Sequence, residues 1–599
     1  MDRNTITALV LLALLFITFN WMTSKKPDAQ QQDAKENTVA TSDTSAVKSD
    51  TSKQAALQTQ IDSNLAVAFG QTTATPQMVS IGNEVMKLDL SNKGGRIEHA
   101  ELKKYKTHDG KPLVLIDGQK NVMNYSFAIG TTPIETQKMY FKVQQSTPES
   151  VTFRLYADSS AYVEQIYTLK KDSYLVDYQY NMVGFDKKLA NGAPIKLSLQ
   201  NDIRKQEHDM STERTNSGIY FKPADDNTDY LFSSSDATKQ ASSPTNWVSM
   251  KQEFFNQTLI AKTPFKTADF ALQIPTDTLT VQTQTAKLSF DYQAQPTFSY
   301  PMQWYIGTNH YQTLKSLDND LEEIVPLGWG IFGWVNKFLI IPIFNLLSKF
   351  ISNYGIIIIL LTIIIKFALW PLTYRSYLSF AKMNVLKPEL EELRKKYEGD
   401  AQGMQAAQMQ MYSQAGVNPL GGCLPQLLQF PILAGMYRFF PSSVELRQAP
   451  FLWAKDLSSY DSILSLPFTI PFYGNHVSLF CLLAAGSTYA YSKLNNQMTP
   501  SSSPEMAMQM KIMQNFMPIM LVFLFNSFAS GLTFYFFLTN IISFGQQWAI
   551  RKYFIDEAAL HKEIQENRKK PVQKSGFQKR LDEAMEMQRQ AKEQKDKKK

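Results

Sequence analysis

A lysine closes the run Ile356-Ile357-Ile358-Ile359-Leu360-Leu361-Thr362-Ile363-Ile364-Ile365, and a second apolar stretch separates Lys366 from Arg375. A charge at the centre of a membrane helix costs about 2.5–3.5 kcal/mol on insertion scales. A chain that keeps one supplies water or a partner beside it. The chemistry open to a solitary ammonium there is electrostatic capture of an acidic group. Thr362 lies one turn earlier on the same face. Gln426 and Gln429 stand at i, i+3 between Pro425 and Pro431 in another apolar segment. Amides at that depth must be hydrogen-bonded. Asn526, Ser527 and Ser530, and later Thr539, Asn540 and Ser543, add polar groups to two further segments.

Each group also has a bland reading. The amides and hydroxyls serve as interhelical glue, worth about 0.6 kcal/mol on average. Lys366 lies nine residues, roughly 13 Å of helix, from Arg375, which leaves a snorkelling ammonium short of bulk water. Taken together, nearly every apolar segment carries a polar side. That pattern predicts a shared hydrated groove open to the cytoplasm.

Other chemistries find no support. Neither a phosphate-binding glycine loop, a nucleophile elbow nor a zinc-protease motif occurs. Asn92-Lys93-Gly94-Gly95-Arg96 is too short for a dinucleotide fingerprint and reads as a turn. The two cysteines, Cys423 and Cys481, cannot build a thiolate site, and the six histidines are scattered. An enzyme is not expected, nor a metal or cofactor.

The elements that position these groups follow from composition. The chain has 599 residues, a net charge of +7 and a mean hydropathy of −0.25, so apolar segments alternate with large polar regions. Residues 1–22 contain an apolar stretch near the minimum for a span. Bulky Asn20, Trp21 and Met22 occupy the place of a cleavage site, which favours an uncleaved transmembrane anchor. Residues 23–77 are rich in Gln, Asp, Ser, Thr and Lys and read as a flexible periplasmic tether. Residues 78–320 show period-two alternation, as in Val151, Phe153 and Leu155, in Val176, Tyr178 and Tyr180, and in Leu288, Phe290 and Tyr292. Lys171-Asp172-Ser173 would turn a hairpin. This predicts an all-β sandwich. Residues 327–351 mix apolar residues with Trp329, Trp334, Lys337 and Lys349 and read as an interfacial amphipathic helix, with a full span as runner-up.

An all-α core of five transmembrane helices is expected over 352–550, at about 354–374, 420–440, 477–494, 516–528 and 532–550. Arg375, Lys382, Lys387, Arg394, Lys395 and Lys396 follow the first, which puts that loop in the cytoplasm. With the anchor, both termini are cytoplasmic and the β domain is periplasmic. The loop 375–417 holds two helical patterns about Glu398-Gly399-Asp400 and predicts a helical hairpin. Residues 551–599 form a basic tail, read as solvated or as a contact for lipid headgroups or ribosomal RNA.

Specific motifs then resemble the YidC family of membrane protein insertases, in its Gram-negative form with a large periplasmic domain. They include Pro371-Leu372-Thr373, Ala381-Lys382-Met383, Asn418-Pro419-Leu420-Gly421-Gly422-Cys423-Leu424-Pro425, Gln429-Phe430-Pro431-Ile432, Val444-Glu445-Leu446-Arg447-Gln448-Ala449-Pro450-Phe451, Asp456-Leu457-Ser458, Lys511-Ile512-Met513 and Ser530-Gly531-Leu532. Gly94-Gly95-Arg96-Ile97 resembles the family's periplasmic domain. The resemblance implies an insertase and chaperone that moves substrate segments from the cytoplasm into lipid through a hydrophilic groove, alone or with the Sec translocon. It implies nascent membrane proteins, the translocon, the ribosome and the bilayer as partners, in the bacterial inner membrane. The groove cation of the family is usually arginine, and this chain has Lys366. The expected groove lining is Lys366, Thr362, Gln426, Gln429, Asn526 and Ser527. The hairpin residues expected to meet substrate or targeting machinery are Lys382, Met383, Lys387 and Tyr397. The alternatives are a transporter or channel using Lys366 as an intramembrane site, and a carbohydrate-processing enzyme in the β domain.

Overall fold

The structure is a computed structural model that describes residues 75–118, 121–398, 400–417, 424–471, 473–498 and 504–569. The expected anchor at 1–22, nearly all of the tether at 23–77 and the tail beyond 569 lie outside the described residues.

The strands from Met78–Gly82 to Thr297–Thr308 form antiparallel sheets of four, nine and six strands. The alternation read from sequence decides what they bury. In Ser150–Tyr156, Val151, Phe153 and Leu155 face the core while the residues between them are half-buried. Strand Leu175–Val183 departs from strict alternation, with Leu175 and Val176 both buried. It is central in the nine-stranded sheet, paired with Tyr162–Leu169 and Thr297–Thr308; Asp177 and Gln179 keep one face partly solvated. Asp172 turns the hairpin at φ 49°. Gly94 and Gly95 have φ of 80° and 61°. Their carbonyls accept hydrogen bonds from Gln165 Nε2 (3.1 Å) and the Tyr167 hydroxyl (2.7 Å). A Cβ at Gly95 would lie 3.0 Å from Gln165 Nε2. The sequence Gly-Gly is therefore needed for both conformation and space.

Helix α1 (Met210–Asn216) carries Glu213 into the interior, where its carboxylate accepts from the backbone N–H groups of Gln206 and Glu207. Burial pushes Glu213 up to about 8 and Glu207 up to about 7, the latter against the opposing pull of Arg447. Burial raises Glu253 well above its ordinary value and lowers Lys251 to about 8. The folded domain thus binds these carboxyl protons more tightly than the unfolded chain. Their contribution to stability is fully present below the ordinary value of 4.5 and is lost as pH rises through about 7 and 8. Hydrogen exchange in residues 204–217 is expected to be faster at pH 8.5 than at pH 6, after correction for intrinsic rates. Equal protection at both values would contradict this account.

Helix α2 (Tyr311–Lys315) leaves the sandwich. Helices α3 (Gly330–Val335) and α4 (Ile341–Ser348) are joined by a π-turn at Asn336–Ile340. Asn336 Nδ2 donates to the carbonyls of Leu327 (2.6 Å) and Gly435 (2.9 Å). Gly330–Ser348 is long and apolar enough to cross a membrane, where the sequence predicts an interfacial helix. Trp329, Trp334, Phe338 and Phe350 are exposed along and beside it.

Helix α5 (Tyr354–Ala368) meets α6 (Trp370–Val385) at a 61° bend. The sequence reads one straight span there. Pro371, in the first turn of α6, lacks an N–H and its ring crowds the carbonyl one turn back, so the helix breaks at Leu369. Helices α7 (Lys387–Lys396) and α8 (Ala401–Gln414) form the predicted hairpin. Then come α9 (Leu424–Ser442), α10 (Leu479–Met498), α11 (Pro504–Phe525), α12 (Ser530–Tyr553) and α13 (Glu557–Arg568). Among the described residues only Gly330–Ser348, or that helix and the bent pair, pass a simple test of length and apolarity. The other long helices interleave apolar residues with Gln, Asn, Ser and Thr.

Candidate functional site

Lys366 sits three residues before the bend in α5 and is 5% exposed. Its ammonium donates to Gln429 Oε1 on α9 (3.0 Å) and to Ser543 Oγ on α12 (2.6 Å). The Ser543 hydroxyl in turn donates to the Thr539 carbonyl (2.7 Å). Gln546 Nε2 donates to the Lys366 carbonyl (3.1 Å), which ties α12 to the last turn of α5. Among the described residues no carboxylate forms an ion pair with Lys366; its partners are neutral. An ammonium has three donors, and two are engaged here.

The pocket is polar on several sides. Thr362 is fully buried one turn back and donates to the Ile358 carbonyl (2.6 Å), which leaves its oxygen able to accept. Gln429 is only half-buried, and Leu427, Leu428 and Phe430 beside it are exposed. The polar cluster therefore reaches the protein surface at Gln429. Nearby, Asn540 Nδ2 donates to Ser487 Oγ (3.0 Å) and Thr488 Oγ1 (2.9 Å). The hydroxyls of Tyr377 and Tyr491 are 3.3 Å apart. Asn540 is interhelical glue in the sense read from sequence.

The structure brings Lys366, Thr362 and Gln429 together. The side chain of Gln426 lies outside the described residues. Asn526 and Ser527 are elsewhere. Helix α11 ends at Phe525, so both fall in the following turn. Ser530, at the start of α12, is 13 residues from Ser543, roughly 20 Å along the helix. Asn526 spends its amide on the segment before α10: it donates to the carbonyls of Tyr473 (3.0 Å) and His476 (2.8 Å) and accepts from Ser478 N (3.0 Å). Ser527 is exposed beside Gly474. Gln546, which the sequence reading missed, had a detectable signal. It follows Thr539 and Ser543 at i+7 and i+3, on one helix face.

At the other end of the helices, the hairpin residues divide. Met383 is core, packed with Leu386, Leu390, Met404, Met411 and Tyr412. Tyr397 packs against that cluster. Lys382 Nζ pairs with Glu563 Oε1 of α13 (2.8 Å). Lys387 is exposed. The sequence reads the residues after 551 as a basic tail, solvated or touching lipid headgroups or ribosomal RNA. Instead α12 runs to Tyr553, and α13 docks on the hairpin through buried Ile564 and an Arg568–Glu389 pair. Replacing Ile564 with alanine is expected to weaken this docking by about 2–5 kcal/mol. Trypsin should then cut the 557–569 segment much faster, and an unchanged cleavage rate would refute the docking.

Between the β domain and the helices, residues 443–462 form a joint. Arg447 Nε pairs with Glu207 Oε1 (2.7 Å), and Gln448 Nε2 donates to the carbonyls of Lys106 and Thr107. His310 Nε2 is 3.2 Å from Glu445 Oε1, and the Tyr460 hydroxyl is 3.1 Å from His208 Nδ1.

Two family models match the chain: the YidC periplasmic domain over residues 78–344, and the 60Kd inner membrane protein over residues 346–557. A relative from Parabacteroides distasonis named membrane protein insertase YidC is 38% identical, and the alignment covers 98% of each chain. Relatives of that name from Bacteroides fragilis and Amoebophilus asiaticus are 37% and 34% identical, again over 98% of each chain. Among solved structures, one titled as an active YidC insertase matches 84% of this chain and 99% of its own at 19% identity and a TM-score of 0.32. A galactose mutarotase related enzyme from Lactobacillus acidophilus matches 38% of this chain and 97% of its own, at 11% identity and a TM-score of 0.28.

Proposed function

The chain belongs to the YidC family of inner-membrane protein insertases, and from that premise we propose that the polar cluster around Lys366 is the path by which a client's exported segment enters the bilayer. Membrane proteins are its substrates and the lipid bilayer its setting. One observation supports this reading above the others: a largely buried cation held, among the described residues, only by neutral groups, beside a half-buried glutamine. A purely structural lysine would be stabilised by a carboxylate; this one retains a donor for an acidic group that arrives from outside.

The steps follow from the residues. An acidic group in the client's exported tail enters past Gln429, which releases the ammonium and rebonds to the peptide. Lys366 takes the carboxylate, while Thr362 and Ser543 offer hydroxyls to peptide N–H groups. The tail thereby crosses without facing full hydrocarbon, where each unsatisfied backbone group costs several kcal/mol. The client's apolar helix then slides along the exposed apolar sides of α9 and α11 into lipid. Partition of that helix supplies the driving force. No nucleotide is required.

In the same reading both termini are cytoplasmic, residues 1–22 are an anchor, 23–77 a tether, 78–320 the periplasmic β domain, 327–351 a membrane-interface helix and 352–550 the core. The hairpin 375–417 receives the client or its targeting machinery at exposed groups such as Lys387, with Met383 and Tyr397 holding its shape. The Sec translocon and the ribosome, the latter through the basic tail at 551–599, are proposed partners, and chaperoning of client folding a proposed role.

Depletion of the protein tests the function. Insertion of a short membrane protein with an acidic exported tail is expected to fall at least tenfold, read by protease protection of that tail. Normal insertion after depletion would refute the proposal.

A further inference from the structure

We propose that the β-hairpin formed by Leu464–Ile470 and Gly474–Val477 is a lipid-docking element, which lies in the interfacial layer of the outer leaflet and seats the adjoining ends of α10 and α11. The leaflet assignment rests on the topology proposed above; the lipid contact rests on the hairpin itself.

No Asp, Glu, Lys or Arg occurs between Asp461 and Lys493. The hairpin is the exposed part of that stretch. Ile463, Leu464 and Phe468 are 49%, 55% and 61% exposed. Strand Leu464–Ile470 is open at almost every position on both faces, so the rest of the described chain covers neither side. Among the described residues its sheet has two strands, and both are edges. In water such a hairpin is marginal, and exposed apolar edges are an aggregation hazard that proteins blunt with charge. Charge is what this segment lacks.

Its attachment points to the covering medium. The Tyr473 ring packs edge-on against Phe523 of α11, with centroids 5.6 Å apart. Phe523 is itself exposed, with Phe516 and Ile519 on the same helix. Through Tyr473 the exposed apolar surface of the hairpin therefore meets that of α11, in a protein of an inner-membrane family. Lipid on that helix surface continues onto the hairpin. Trp453, part-exposed beside the hairpin's root, and Tyr473 are side chains suited to the membrane–water boundary.

Depth is limited by the backbone. Two open edges leave unpaired N–H and C=O groups, each costing several kcal/mol in hydrocarbon. The hairpin thus settles at the headgroup–acyl boundary, about 5–10 Å into the lipid. Its root is fixed. His476 is buried, its Nε2 lies 2.9 Å from the Asn526 carbonyl, and its ring stacks on Tyr460 at 3.8 Å. With the three Asn526 amide bonds described above, the hairpin and the outer end of α11 move as one.

The test uses full-length protein in phosphatidylethanolamine–phosphatidylglycerol vesicles, with Phe468→Cys labelled by an environment-sensitive fluorophore in a Cys423→Ser, Cys481→Ala background. Leu464→Cys is the second site if the first variant misfolds. The expected result is blue-shifted emission, stronger quenching by shallow than by deep lipid nitroxides, and little quenching by iodide. The same result is expected in uncharged phosphatidylcholine vesicles and in high salt, because no charge is involved. Efficient iodide quenching with no lipid quenching would place the hairpin in water and overturn the proposal. Blue-shifted emission insensitive to both quenchers would mean that protein, such as a second copy of this chain, covers it, and would overturn it equally. A label at exposed Lys187 of the β domain, probed with an impermeant quencher from each side, checks the orientation separately. If the two labels report opposite faces, the topology fails while the hairpin's lipid contact is still judged by its own quenching.

Discussion

Lys366→Glu is expected to lower insertion of a client with an acidic exported tail by at least tenfold, while a client with an uncharged tail loses less. Two unit charges about 4 Å apart interact by about 4 kcal/mol at the effective dielectric of a protein near its surface. Reversing the sign at 366 turns that attraction into repulsion of similar size. A tenfold effect needs only about 1.4 kcal/mol of it. Gln429 and Ser543 rearrange readily, since an amide and a hydroxyl each offer a donor to a carboxylate as well as an acceptor to an ammonium. The fold therefore tolerates the change better than the function does. Lys366→Arg should retain activity, because the charge is kept. Insertion assays on both clients, with a melting curve to verify folding, decide the matter. Equal handling of acidic and neutral tails by the glutamate variant would remove the electrostatic role of Lys366 and leave the insertase family assignment intact.

Arg447→Ala is expected to loosen the joint between the β domain and the helices by about 3–5 kcal/mol, the usual cost of removing one partner of a buried ion pair. The Arg447 side chain is 1% exposed, bonded to Glu207 and placed over the Phe255 ring at 5.1 Å. Removing it leaves a buried carboxylate without its cation and a hole in an aromatic contact. Glu207, already pushed up to about 7 by burial, would then hold its proton still more tightly. The Arg447→Ala, Glu207→Gln double variant should recover part of the loss. Arg447→Lys should not restore it fully, because a point ammonium cannot reproduce the planar stack. Hydrogen exchange of residues 204–217 and 443–462 measures both effects. Unchanged protection in the single variant would show that the joint is held by its other contacts.

Legibility differed by element. The sandwich could be read directly because a half-buried strand writes its burial in every second residue, as in Val151, Phe153 and Leu155. The helices were legible as helices, but Pro371 was not read as the point where one of them turns by 61°. Residue type and membership of an apolar segment group Asn526 with the groove. The structure ends that helix one residue earlier, and the amide closes a turn. Docking of α13 was hidden by its charge. Leu560 and Ile564 make a narrow apolar stripe, easily lost among Lys, Glu, Gln and Arg.

The sequence alone determined that a cation stands at the end of an apolar helix, that several neighbouring segments carry polar sides, and that a large all-β region precedes them. Those are local properties, set by composition and period. Only the tertiary structure decided which polar groups meet. Lys366 and Ser543 are 177 residues apart, and Glu207 and Arg447 are 240 apart. No spacing rule links such pairs. They meet because the packing of apolar faces fixes the rotation of each helix and the seating of the sandwich, and buried polar groups must then find partners among whatever that packing brings near.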